Sequence, residues 1–275
     1  MRLDIIINTL RFEVYRISRS PGLLMQLCAG FIFIGCALLI EAISEALIAE
    51  FDDAASHTLP AALAIARAKA EQYGLESNPL LLAYGYLIHI LTPGIALTLG
   101  ANQTTRDLSS GHARILLSRM SRREFLVSRF VSTWIQWALV AGVSCGWGAF
   151  MLSDILAVEA TNGWASAFRY GFGSIIYALP FLAYGACLNT VFRTPLNVLI
   201  GGSALWFGWS LLLSAVTKSI PEHLWERVPE ALTIGAGSHL LDVGGSVMVG
   251  MGLCLLYSAL FLSIGSLLLG RRELR

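Results

Sequence analysis

Two sets of residues in this chain have types and spacing suited to chemistry. The first centres on His89, which lies within an apolar run four residues before Pro93. An ionisable group at membrane depth marks a substrate path or a proton relay by default. A neutral imidazole bonded to a neighbouring helix is the plainer use. Paired with Ser174 or Ser203, His89 would supply half of an intramembrane hydrolase, but no mid-span aspartate pair or recognisable nucleophile motif accompanies it. Axial haem ligation needs a second mid-span histidine, which the sequence lacks. The five cysteines (Cys28, Cys36, Cys145, Cys187, Cys254) all fall in apolar runs without ligand spacing, so they read as small apolar residues within helices.

The second set is the polar run 102–129, whose chemistry is docking rather than bond-making. Leu108, Ile115 and Leu116 share one helical face, while Arg106, Asp107 and Arg114 lie elsewhere. A turn near Arg119–Ser121 then leads into a second helix. The segment is too polar for lipid and too apolar for a free loop. Its residues leave two uses open: a docking surface for a cytoplasmic protein, or an arginine anchor on anionic headgroups.

The elements that position these residues are membrane spans. The chain has 275 residues, 56% hydrophobic and 13% charged, with a mean hydropathy of +0.67. Soluble domains carry about 25% charged residues, so too little polar surface is available to coat a soluble globule. A span needs ~20 mostly apolar residues. Six stretches qualify: 22–42, 79–99, 130–153, 167–188, 196–216 and 246–269. Pro93 and Pro180 are expected to kink the second and fourth. Gly142-x-x-x-Gly146 and Ser144-x-x-x-Gly148 in the third give the close-approach pattern for a neighbouring helix, within the chain or across a dimer.

Orientation follows the basic residues. Of the 19 Lys and Arg and 18 Asp and Glu, the N-terminal stretch, the 100–129 loop, the 189–195 loop and the C-terminus hold all but Arg67, Lys69, Arg169, Lys218 and Arg227 of the basic ones. The same segments carry only Asp4, Glu13, Asp107, Glu124 and Glu273 of the acids. Both ends are therefore expected in the cytoplasm. Residues 1–21 read as an interfacial amphipathic helix, with Leu3, Ile6, Ile7, Leu10, Val14 and Ile17 at helical spacing. Outside the membrane, 49–78 carries a helix around 60–72. Residues 221–232 read either as a short interfacial or re-entrant helix or as a solvated loop. Glu41 and Glu45, ending the first span, line a vestibule or snorkel to water.

The 107–129 run resembles the first cytoplasmic loop of the ABC-2 type transporter permeases, the membrane subunits of ABC exporters whose ATPase is a separate chain. In that family an acid precedes a Gly-Thr, a Leu-Leu pair, a Pro-x-Ser-Arg-Arg turn and a Gly-Lys entering the third span. Asp107 matches the acid, Gly111 the glycine, Leu116 and Leu117 the pair, Ser121-Arg122-Arg123 the turn, and Arg129 the lysine. His112 stands in place of the threonine, Arg119 of the proline and Ser128 of the glycine. The amphipathic leader, the layout of six spans and an outer helical segment before the last span extend the resemblance over the whole chain.

The resemblance implies an all-α polytopic fold, one transmembrane permease domain over 1–275 with both ends inside. It implies that 101–118 is a coupling helix seated in a nucleotide-binding ATPase subunit, with Asp107, Gly111, Leu116, Leu117, Arg122 and Arg123 at the contact. A second permease chain, identical or homologous, would complete the path. The first and fifth helices would line it, which points to Asn197, Ser203, Trp206 and Trp209 beside His89. No Gly-x-x-x-x-Gly-Lys-[Ser/Thr] sequence is present, so ATP and Mg are expected in the partner subunit and no cofactor in this chain. The expected setting is a bacterial or archaeal-type cytoplasmic membrane, with lipid and no nucleic acid as partner. A non-transporting membrane anchor or assembly factor would carry the same loop.

Overall fold

The computed structural model describes Ile7, Arg11 and residues 79–102, 116–118, 120–151, 160–192, 194–217 and 247–271. The stretch 22–42, nearly all of the 1–21 leader, and the segments 49–78 and 221–232 lie outside the described residues. Ile7 and Arg11 are both helical and exposed. Among the described residues every regular element is a helix: α1 (Pro79–Asn102), α2 (Arg122–Phe150), α3 (Ala160–Tyr177), α4 (Leu179–Asn189), α5 (Pro195–Thr217) and α6 (Val247–Arg271).

Local sequence explains where these helices begin and bend. Ser121 and Glu124 form a capping box at the start of α2: the Ser121 hydroxyl accepts from the Glu124 amide at 3.3 Å, and the Glu124 carboxylate accepts from the Ser121 amide at 2.9 Å. The helix therefore starts at Arg122, ahead of the apolar run at 130. α5 opens on Pro195, with the Thr194 hydroxyl accepting from the Asn197 amide at 3.3 Å. In α1, Pro93 sits inside a continuous helix and leaves the His89 carbonyl without its amide donor.

Pro180 divides the fourth expected span more sharply. Its ring nitrogen cannot donate to Ile176, and the helix is parted at Ala178 into α3 and α4. Bonds from Ala178 to Ser174 and from Leu182 to Ala178, both 3.0 Å, carry the backbone across the joint.

The short α4 occupies the middle of the bundle. All eleven of its residues are buried, and α1 and α6 are its principal neighbours. Two glycines let α1 cross it: a Cβ at Gly185 would lie 2.8 Å from the Gly100 backbone. The α2–α3 contact is tied by Trp134 and Trp137, whose indoles donate to the Ile175 and Ser174 carbonyls at 3.0 and 3.1 Å. The close-approach pattern on α2 is half used. Ser144 and Gly148 are buried, but Gly142 and Gly146 have nothing within 4 Å of an added Cβ.

Among the described residues three helical stretches, Arg122–Phe150, Phe168–Asn189 and Met248–Gly270, are long and apolar enough to cross a membrane. Large side chains on the outward faces are apolar, among them Phe168 (68% exposed), Leu211 (72%) and Met248 (80%). In water such a surface would associate; in hydrocarbon it is the expected coat. These features are those of a membrane protein.

Candidate functional site

The described end of the 102–129 segment is an elbow. Leu116 and Leu117 are helical, the chain turns at Ser118, and the Met120 amide bonds the Leu116 carbonyl at 3.0 Å before α2 begins. Leu116 and Leu117 pack, half-buried, on a cluster of Met120, Phe125, Leu126 and Leu269. Leu269 comes from α6, near the far end of the sequence. Leu262 on the same helix touches both this cluster and the main core, so the elbow is continuous with the bundle. Apolar burial of this kind contributes roughly 1.5–3 kcal/mol per large side chain.

The elbow separates the two expected contact arginines by what they do. Arg122 donates to the Gly270 carbonyl near the end of α6. A cation is well placed there, because the last carbonyls of a helix lack intrahelical donors and carry partial negative charge. Arg122 thus ties the elbow to α6, although its surface is exposed. Arg123, one residue on, is also exposed. Arg129 behaves differently again: it is 4% exposed, and its guanidinium carbon lies 5.7 Å from the centre of the Phe125 ring. Asp107 and Gly111 lie outside the described residues, as does Arg119.

The beginning of the same segment is fixed by a contact that no motif announced. Asn189, fully buried at the end of α4, donates from its side-chain amide to the Gly100 carbonyl at 2.7 Å. Gly100 stands two residues before α1 ends. The pairing needs two distant positions, Gly100 with Gly185 and Asn189, so its only sequence signal is a buried-type position held by an amide residue after an apolar run.

Of the residues expected along a substrate path, four lie on α5 and one on α1. The side chain of His89 lies outside the described part of α1. Asn197, Ser203, Trp206 and Trp209 are spread over three turns of α5. Asn197 and Trp209 are exposed, whereas Ser203 and Trp206 are half-buried. Trp206 packs its ring edge against Phe181 of α4 at 5.4 Å and stacks on Phe207 at 5.6 Å. The serine weighed for hydrolysis, Ser174, is buried and donates to the Gly171 carbonyl of its own helix at 2.8 Å, as packed helix serines do.

Away from both sets lies an apolar groove of about 260 Å³ between α2 and α3. Gly142 and Gly146 are in its floor, and Trp164, Phe168 and Phe172 wall it. Among the described residues no group of His, Cys, Asp and Glu could hold a metal ion. Cys145, Cys187 and Cys254 are buried thiols.

No protein-family model matches the chain, and no curated protein matches it in sequence.

Proposed function

We propose that the chain is the permease subunit of an ATP-driven exporter of the ABC-2 type. In this reading it crosses the membrane six times with both ends in the cytoplasm, and pairs with a second permease chain. Its 100–129 segment receives the motion of a separate nucleotide-binding subunit. The helices α1, α2, α3–α4, α5 and α6 fall on five of the six apolar stretches, and the lopsided distribution of arginine supports the orientation.

The observation that carries the reading is the elbow. A loop that merely anchored arginines at headgroups would need no apolar footing. Here Leu116 and Leu117 are seated on Phe125, Leu126 and Leu269, and Arg122 is tied to the end of α6. A push on the segment therefore meets packed side chains rather than slack chain. The loop of an exporter permease has to do this.

Affinity purification from intact membranes tests the proposal directly. A nucleotide-binding ATPase should accompany the chain, and its ATP hydrolysis should depend on the 100–129 segment. Changing Asp107 and Arg122 together, to Asn and Gln, should separate ATP hydrolysis from transport. Repeated recovery of the chain without an ATPase sinks the exporter reading, and unchanged coupling removes the docking role of this loop.

A further inference from the structure

The two roots of the 100–129 segment converge on one short helix. At the first root, α1 crosses α4 at Gly100 and Gly185, and Asn189 of α4 holds the Gly100 carbonyl at 2.7 Å. At the second, the elbow rests on Leu269 of α6. That helix lies along α4 so closely that a Cβ at Gly265 would come 3.2 Å from the Cys187 Cα and 3.5 Å from the Leu126 side chain. Leu126, Gly265 and Cys187 are thus stacked from elbow to α6 to α4.

α4 is also suited to move as a piece. Pro180 removes the backbone hydrogen bond to Ile176 at its joint to α3, whereas its whole length is packed. Its far side meets α5: the Tyr184 hydroxyl donates to the Gly202 carbonyl at 3.0 Å, and Phe181 meets Trp206. A displacement delivered to α4 would reach the helix that carries Ser203 and Trp206.

We propose that α4 is the transmission element of the permease, pivoting about Ala178, with Asn189 and Leu269 as the positioning residues that fix the two roots of the loop to it. The inference rests on the permease reading, and its test distinguishes the two. The complex is purified with the ATPase that accompanies it, and amide hydrogen exchange is compared with and without ATP plus vanadate.

In the parent, trapping should change exchange in both 103–115 and 179–189. Asn189→Ala and Leu269→Ala should retain the ATPase and the response of 103–115, yet lose the response of 179–189. Leu269→Met should restore it, and the retained response of 103–115 in the Ala variant separates the effect from a general loss of stability. If Asn189→Ala fails to assemble, the Leu269 pair decides the matter. A full response of 179–189 in the Ala variants overturns the transmission role, as does a parent in which 103–115 responds and 179–189 does not. A parent without an ATPase, or without any response in 103–115, overturns the permease reading itself and the transmission role with it.

Discussion

Gly185 and Gly146 both lie in helices whose sequences read as membrane spans, and their surroundings are opposite. A Cβ on Gly185 would come 2.8 Å from the backbone of Gly100, whereas one on Gly146 would meet nothing within 4 Å. The first glycine is where two helices touch; the second is in the floor of an open groove beneath Trp164 and Phe168. Glycine at four-residue spacing permits close approach without compelling it. In water, an open apolar groove would be costly and a neighbour would be drawn in. Hydrocarbon can fill such a groove as well as a helix can, so small residues can persist on a face that meets no other described helix.

The largest effect that can break this comparison comes from placing one side chain at both positions. Gly185→Leu drives a branched side chain into the backbone of α1, which cannot move aside as a side-chain tip can. Overpacking of this kind costs about 1–3 kcal/mol and sometimes more. The variant should show a sharply lowered unfolding temperature in detergent or nanodiscs, or fail to accumulate. Gly146→Leu should unfold like the parent, its side chain lying in the groove. Equal losses at the two sites would mean that the groove is occupied in the membrane by another helix.

An intermediate case sharpens the same contrast. A Cβ at Gly171 would lie 2.6 Å from the Cys145 Sγ and 2.9 Å from its Cβ, so the obstacle is a side chain rather than backbone. Gly171→Ala should destabilise less than Gly185→Leu, by ~1–2 kcal/mol. Combining it with Cys145→Gly should recover part of that loss, giving a favourable coupling in a double-mutant cycle read by thermal unfolding. No recovery would place the cost elsewhere than at the α2–α3 contact. Smaller still is the loss expected from Tyr184→Phe. It removes the hydroxyl that holds the Gly202 carbonyl and should cost ~1 kcal/mol in the same measurement.

What the sequence revealed of this fold follows from which forces act locally. The helix limits at α5 and α6 lie within one or two residues of the apolar stretches 196–216 and 246–269, because Thr194-Pro195 is itself a start signal and both helices are apolar throughout. The start of α2 was displaced, since hydropathy marks where lipid begins whereas the Ser121–Glu124 capping box marks where the helix begins. The fourth stretch became two helices because a proline's cost is sequence-local while the choice between a kink and a break depends on neighbours. In the 102–129 segment, Leu116 could be placed by helical spacing, whereas Leu117, Arg122 and Arg123 were named by the resemblance. Their attachment to Leu269 and Gly270 could not, being a contact across about 150 residues of chain, and Asn189 offered only an amide residue after an apolar run, with nothing to name its partner.

The smallest expected effect discriminates the two glycine environments most cleanly, because its sign is at stake. Gly142 and Gly146 lie within the continuous helix α2, where glycine is less favourable than alanine by roughly 0.8–1.0 kcal/mol in water. That penalty is usually retained because a neighbour needs the space. Here none of the described atoms comes within 4 Å of either added Cβ, so Gly142→Ala and Gly146→Ala forfeit no contact. Each should leave thermal stability unchanged or raise it slightly, by ~0.5 kcal/mol, since only the flexibility of the unfolded chain is reduced. The same change at Gly185 should lower stability. If either groove alanine destabilises the protein in a bilayer but not in detergent, the groove holds something that detergent strips away, and the two glycine sites are alike after all.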